Sequence, residues 1–187
     1  MACAAPDAVQ RARELARLFH EDLDAFARFA PAAPEELPAG PRQLLDHPSH
    51  MTVAMERFHG GPVGLVVASS RLGDDGRYAR EILLTTPAGR IVQHGVVRID
   101  LARLPAATAE AIRSETTPLG RILLAAGLLC EVHDVSLLRI AVGPELAAVC
   151  NTAVPAETFG RVATITLDGR PAIELLEIVA SGSAELT

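Results

Sequence analysis

The chain has no tryptophan, and aromatic side chains make up only 3% of its 187 residues. Its core must therefore be built from aliphatic side chains, and few rings are available to stack on nucleobases. The net charge is −6, and no basic cluster outweighs the acidic residues. We therefore expect no binding to nucleic acid or to an anionic membrane surface, although a local basic pocket for a small anion remains compatible with this composition.

Cysteine is also scarce, because the chain has only Cys3, Cys130 and Cys150, without CxxC spacing. We therefore expect reduced thiols in a cytoplasmic protein and no disulfide framework. No apolar run approaches the roughly 20 residues that cross a bilayer, and the N-terminus does not resemble a signal peptide.

Motifs for metals and cofactors are missing from the sequence. The six histidines show no HxH, HxxxH or HExxH spacing, so we expect no metal. Glycine-rich nucleotide loops and GxSxG are absent as well. We therefore expect no cofactor, and NTP hydrolysis and serine-triad catalysis are disfavoured.

The hydrophobic content of 49% predicts a packed domain. Apolar spacing predicts an amphipathic helix over residues 7–29, followed by a proline-rich connector over residues 31–41 that forms neither helix nor strand. Further helices are predicted over residues 42–46, 51–58, 105–114, 121–126 and 143–151. Strands are predicted over residues 63–69, 78–86, 91–99, 129–140, 161–167 and 171–179. This order indicates an α+β fold with an antiparallel sheet, and we divide the chain into an N-terminal segment (1–36) and an α+β domain (37–187).

The segment over residues 77–84 holds a charge in an unusual place. With the two-residue period of a strand, Arg80 shares a face with Ile82, Leu84 and Thr86. A cation on an apolar surface is costly unless an anion meets it. Arg80 therefore marks a buried anion site, or it lies at a strand end with its head in water.

A carboxylate in the last predicted strand poses a similar question. Glu177 shares a face with apolar residues, and Glu174 lies on the other face with apolar residues of its own, so periodicity leaves open which one points inward. An ion pair with an arginine such as Arg161 on a neighbouring strand is the more common explanation for such charges, and a ligand site is the alternative.

Four short segments, in this order, resemble the chorismate lyase family: Leu44-Leu45 with Met51-Thr52, Arg80-Glu81-Ile82-Leu83-Leu84, Thr117-Pro118-Leu119-Gly120-Arg121, and Gly169-Arg170-Pro171 leading to Glu177. The similarity spans roughly residues 37–181. It implies a six-stranded antiparallel sheet with helices on one side and a ligand buried under helical flaps. It also implies an enzyme that eliminates pyruvate from chorismate to give 4-hydroxybenzoate, without metal or cofactor.

The resemblance also assigns binding residues. Arg80 would bind the ring carboxylate, helped by backbone N–H groups at Met51 and Leu119. Thr52 and Gly120 would lie beside them in the binding site. The ligand implied is a small aromatic or cyclohexadienyl carboxylate, bound by a monomer or a small homo-oligomer.

The resemblance names Arg80 and Glu177 as catalytic residues, with Glu177 acting in proton transfer. A second arginine of some family members matches about Val96 here. Arg98 and Arg161 are the candidates that could replace it opposite a second carboxylate.

Two other functions remain open. One is a small-molecule binding module, because effector domains of some bacterial transcription regulators look like this fold. Those regulators normally carry a winged helix-turn-helix, and we expect the about 40 residues before the core to be too few for one. The other is recruitment of the same fold to a different step of natural-product assembly.

Overall fold

The computed structural model describes residues 7–154 and 156–180. The helices are α1 (Ala8–Ala16), α2 (Leu23–Phe26), α3 (Ala39–Leu45), α4 (Met51–His59), α5 (Ala106–Arg113), α6 (Leu119–Ala125) and α7 (Pro144–Cys150). The strands are β1 (Ala27–Pro31), β2 (Gly64–Leu72), β3 (Tyr78–Thr85), β4 (Ile91–Ile99), β5 (Cys130–Val142), β6 (Ala156–Leu167) and β7 (Arg170–Val179). Short 3₁₀ helices occupy Pro34–Glu36 and Leu101–Arg103.

The strands form one antiparallel sheet in the order β1-β5-β6-β7-β4-β3-β2. The predicted α+β class is confirmed. The predicted meander is present as β2-β3-β4, and the predicted terminal hairpin joins β6 to β7. Asp168 and Gly169 form its turn with φ angles of 48° and 74°. Two consecutive positive φ angles match the right-handed twist of the strands, which is why Asp-Gly is favoured there.

Helices cover both faces of the sheet. On the face that we call the α1 face, the helices α1, α2 and α7 pack against Val96, Leu138, Ile140, Val162, Leu176 and Ile178. On the opposite face, the α4 face, α3 to α6 pack against Ile82, Leu84, Val97, Ile99, Ile165, Ile173 and Leu175. The prediction of helices on one side is therefore wrong, because the central strands are apolar on both faces and each face must be buried.

The predicted helix over residues 7–29 is interrupted. Asp22 accepts hydrogen bonds from the backbone N–H groups of Asp24 and Ala25 and so starts a separate helix, α2. The chain then extends as β1 and pairs with β5, which makes seven strands where six were predicted. Helical spacing of apolar residues is a local signal, and it cannot register pairing with a strand that lies more than 100 residues away.

The predicted connector is more ordered than its proline content indicates. It contains a 3₁₀ helix, and α3 begins inside it with Gly40 and Pro41 in the first turn. Proline is tolerated there because the first N–H groups of a helix have no intrahelical acceptor. The division of the chain at residue 36 stays a prediction, although α1 packs on the sheet and β1 belongs to it.

Two further sequence expectations concern the environment of the chain. Cys130 and Cys150 are free thiols, and Cys3 lies outside the described residues. Of the helices that the structure describes, none combines the length and the hydropathy needed to cross a membrane.

Candidate functional site

A cavity lies between the α4 face of the sheet and the first turns of α4 and α6. The volume within which the centre of a water molecule fits is about 40 Å³. This is room for roughly three waters. Its walls are mostly aliphatic and include Ile82, Leu84, Val97, Val132, Ile165 and Leu175. All six predicted site residues line it: Met51, Thr52, Arg80, Leu119, Gly120 and Glu177.

Arg80 brings a buried positive charge into this cavity. Its side chain is on the α4 face of β3 and the residue is only 1% exposed. Nη1 donates to the carbonyl oxygen of Ile112 at 3.4 Å, whereas Nε has no hydrogen-bond partner among the described residues. Burial lowers the pKa of the guanidinium, but an arginine keeps its proton in proteins. Arg80 is therefore charged and incompletely paired.

Tyr78 and the negative charge of Glu115 both favour the charged form of Arg80. The hydroxyl of Tyr78 donates to Oε1 of Glu115 at 2.7 Å. Burial, followed by the hydrogen bond and the negative charge of Glu115, raises the pKa of Tyr78 to about 12. Within the described chain, no carboxylate forms an ion pair with Arg80. The charge of Arg80 is thus attracted by Glu115 at a distance and is not neutralised by contact.

The roof of the cavity is made by two helix starts. α4 begins after His50 and α6 begins after Pro118, and in the part of the chain described here neither residue caps its helix with a side chain. A Cβ atom at Gly120 would lie 3.0 Å from Oγ1 of Thr52 and 3.1 Å from Cβ of His50. Glycine therefore lets the two helix starts approach closely. Binding of an anion by the N–H groups of Met51 and Leu119 stays a prediction.

The structure resolves which glutamate points into the site. Glu177 lines the cavity on the α4 face. Glu174 is on the α1 face, where its carboxylate accepts hydrogen bonds from Arg98 at 2.7 and 2.9 Å and from Arg77 at 3.1 Å. Arg98 is therefore excluded as a replacement for the missing second arginine of the cavity.

Glu177 forms the cross-strand ion pair that the sequence left open. Arg161 lies directly opposite Glu177 in the β6-β7 register, and its Nε donates to Oε2 at 2.7 Å. The other guanidinium nitrogens of Arg161 donate to the backbone carbonyls of Leu45, His47 and Ser49 at 3.3, 2.7 and 3.0 Å. Arg161 thus lines the cavity but is used in holding the segment that leads into α4.

Sequence reasoning missed two polar residues of the cavity. Gln93 on β4 is 2% exposed, and its Oε1 has no hydrogen-bond partner in residues 7–154 and 156–180. The strand alternation of β4 could have found it, since Gln93 shares a face with the cavity residues Gly95 and Val97. His50 also lines the cavity, and burial lowers its pKa, so it adds no charge at neutral pH.

The chain is similar to known proteins in its fold and not in its sequence. No family model matches the sequence, and no curated protein is significantly similar to it. PhnF from Mycobacterium smegmatis shares 14% identity over 74% of this chain and 67% of its own, with a TM-score of 0.57. The effector domain of that protein gives a TM-score of 0.55 at 14% identity, over 71% of this chain and 89% of the domain.

A third structure is the ligand-binding domain of a protein described as a GntR-family transcriptional regulator from Bordetella bronchiseptica. It shares 12% identity over 64% of this chain and 86% of its own, with a TM-score of 0.53. Identities this low show a common fold and no more. The fold is that of these regulator domains.

The predicted membership of the chorismate lyase family is therefore wrong, and so is the predicted release of pyruvate and 4-hydroxybenzoate. The structures found are those of regulator domains, and none of those named is a chorismate lyase. The site gives a physical reason, because chorismate carries two carboxylates and Arg161 is already engaged. Val96 stands at the position of the second arginine and is fully buried. The catalytic role given to Arg80 and Glu177 loses its basis, but both residues remain part of the cavity.

Proposed function

We propose that the cavity binds a small organic carboxylate and that the chain acts as a ligand-binding module. The observation that carries this proposal is Arg80, a buried cation that lines the cavity and lacks a contacting anion among the described residues. Leaving a charged donor buried and unpaired costs free energy in the empty protein. A carboxylate at Arg80 removes that cost and adds charge-assisted hydrogen bonds.

The lining favours a ligand with one anionic group and an apolar body. Each guanidinium nitrogen of Arg161 already donates to Glu177 or to a backbone carbonyl, whereas Nε of Arg80 has no partner in the described residues, so a monocarboxylate fits better than a dicarboxylate. The aliphatic walls suit a single ring, and the amide of Gln93 offers a hydrogen bond to a ring substituent. An aromatic or cyclohexadienyl carboxylate meets all three requirements.

The comparisons support binding over catalysis. One of the similar structures is described as the effector domain of PhnF. Another is described as the ligand-binding domain of a regulator from Bordetella bronchiseptica. The position of the roof suggests how binding is passed on. Because the cavity is small, a ring must displace the starts of α4 and α6, and occupancy therefore changes the outer surface of the module.

Isothermal titration calorimetry with benzoate, benzamide and phthalate tests this function. Benzoate should bind about 10- to 100-fold more tightly than uncharged benzamide, because an interaction with a charged group contributes about 1.5–3 kcal/mol. Phthalate, with two carboxylates, should bind more weakly than benzoate.

Two arginine variants separate the site from general electrostatics. Arg80→Met should abolish benzoate binding, whereas Arg98→Met on the α1 face should leave it unchanged. Equal affinities for benzoate and benzamide, or full affinity in Arg80→Met, would overturn the proposed function.

A further inference from the structure

A second cluster of polar residues is buried on the α1 face, behind the cavity. Nε2 of His94 lies 2.7 Å from Oε1 of Glu81, and Nε2 of His20 lies 2.9 Å from the same oxygen. The His94 side chain is fully buried, and those of His20 and Glu81 are each 9% exposed. One ligand atom from each residue falls within 4.8 Å of the other two.

The fold brings these residues together from three separate elements. Glu81 follows Arg80 on β3 and therefore points to the opposite face of the sheet. His94 lies on the neighbouring strand β4. It is the diagonal neighbour of Glu81 on the same face, because His94 pairs with Leu83, two residues along β3 from Glu81. His20 comes from the connector between α1 and α2, where its ring stacks on Phe26 at a centroid distance of 3.8 Å.

The nitrogens that face Glu81 are Nε2 of both histidines. Nδ1 of His20 lies 2.9 Å from Oε2 of Glu145, so without a metal His20 donates from both nitrogens, and a bound metal ion would replace the proton on Nε2. Nδ1 of His94 is buried without a partner among the described residues. The carboxylate of Glu81 lies between the two imidazoles, within hydrogen-bond distance of each. A buried, ionised carboxylate between two imidazoles is a set of atoms suited to a cation.

We propose that His20, Glu81 and His94 bind a divalent transition metal of the zinc class through two Nε2 atoms and a carboxylate oxygen. Two histidines and a glutamate are a ligand set that zinc uses, with a further position left for water. The N···O separations of 2.7 and 2.9 Å would widen to roughly 3.3 Å, the ligand spacing of a tetrahedral zinc site. His20 can accommodate this change because it lies in a connector outside regular secondary structure.

The surroundings of the cluster also suit a metal. Glu145 accepts from Nδ1 of His20, and a carboxylate behind a metal-bound histidine fixes the ring and increases its basicity. The charges of Glu81 and Glu145 together balance a divalent ion. The side chain of Glu145 is 46% exposed, which gives the ion a route from solvent.

This site is separate from the carboxylate cavity and does not depend on its function. A bound metal would join the connector between α1 and α2 to the central strands, so its role would be structural. Linear spacing could not reveal it, because His20 and Glu81 are 61 positions apart, and Glu81 and His94 are 13 apart.

The test uses the full chain, stripped with a chelator and titrated with Zn²⁺ at neutral pH. We expect one ion per chain and a thermal midpoint that rises by several degrees when free Zn²⁺ exceeds Kd about 100-fold. Co²⁺ in place of Zn²⁺ should give the intense visible bands of a four- or five-coordinate ion.

A histidine variant and a matched control locate the ion. His20→Gln should weaken Zn²⁺ binding at least about 100-fold, because one of three protein ligands is lost. His133→Gln should not, although His133 also pairs with a glutamate, Glu131, at 3.2 Å on the surface.

Three results would overturn the metal site. They are the absence of stoichiometric Zn²⁺ binding, unchanged affinity in His20→Gln, and a Co²⁺ spectrum like that of the hydrated ion. If His20→Gln does not fold, X-ray absorption of the Zn²⁺-loaded parent decides. Two imidazole ligands on the bound Zn²⁺ would support the site. Fewer than two would show that the three side chains are joined by hydrogen bonds and do not bind the metal.

Discussion

Replacing Arg80 with methionine should stabilise the ligand-free protein while abolishing its ligand binding. In the empty cavity, the unpartnered Nε of a 1% exposed arginine costs about 1–3 kcal/mol. The substitution gives up one long hydrogen bond to Ile112, which contributes about 1 kcal/mol. Methionine fills a similar volume without a polar atom that needs a donor or acceptor. The net expectation is a free energy of unfolding higher by about 1 kcal/mol.

The effect on binding has the opposite sign. A carboxylate at Arg80 would gain two charge-assisted hydrogen bonds, each contributing about 1.5–3 kcal/mol, so Arg80→Met should lower the affinity for benzoate at least about 100-fold. Urea denaturation without ligand measures the stability, and calorimetric titration with benzoate measures the affinity. The denaturant dependence of the unfolding free energy should be unchanged, because the same surface is exposed on unfolding.

The second buried arginine of the cavity is the control. Arg161→Met should lower the free energy of unfolding by about 3–5 kcal/mol, because it leaves Glu177 buried without its partner. It also releases three backbone carbonyls before α4. The reasoning about Arg80 is refuted if Arg80→Met destabilises the protein as Arg161→Met does and leaves benzoate binding intact.

Two further predictions concern the surroundings of the cavity. Tyr78, the chain's single tyrosine, should ionise with a pKa of about 12, and Glu115→Gln should lower that value. Since the folded pKa exceeds the ordinary value of 10.0, the phenol's contribution to stability is complete below pH 10 and is lost as the pH rises through about 12. Ultraviolet absorbance of the phenolate measures it, and an ordinary midpoint would contradict the burial argument. Gly120→Val should force Thr52 and α4 away from α6, cost about 1–3 kcal/mol of stability and weaken benzoate binding. Gly61→Ala, with open space around the added methyl group, should do neither, and equal effects in denaturation and titration would contradict the close packing of the roof.

The sequence was informative where a signal is local. The period of two in β3 placed Arg80 on a buried face, and the structure has it there at 1% exposure. Asp168-Gly169 predicted the terminal hairpin, because few residue pairs accept two positive φ angles at low cost. The six site residues converge on one cavity because they occupy the α4 face of β3 and β7 and the starts of α4 and α6.

Predictions from the sequence were wrong or incomplete where a contact with a distant segment decides the structure. The helical apolar pattern continues to residue 29, yet pairing with β5 makes residues 27–31 a strand. Strand periodicity could not distinguish Glu177 from Glu174, because each shares a face with apolar residues. Each also has an arginine opposite it, Arg161 for Glu177 and Arg98 for Glu174, so only the position of β7 in the sheet decides which one lines the cavity.

The segments that resemble chorismate lyases indicate a fold and not a family. The four segments that resembled chorismate lyases describe a strand, two helix starts and a hairpin, and these are elements that proteins of the same fold can share. They say where a ligand cavity forms and not which reaction occurs in it. The residues that would have decided the chemistry were Val96, which is not an arginine, and Arg161, whose donors are engaged.

A crystal structure of the protein with benzoate tests the central claim most directly. We expect the carboxylate about 2.7–2.9 Å from Nε and a terminal nitrogen of Arg80, with the ring against the aliphatic walls and the Arg161–Glu177 pair intact. Benzoate bound elsewhere, or bound in the cavity with its carboxylate away from Arg80, would contradict the account.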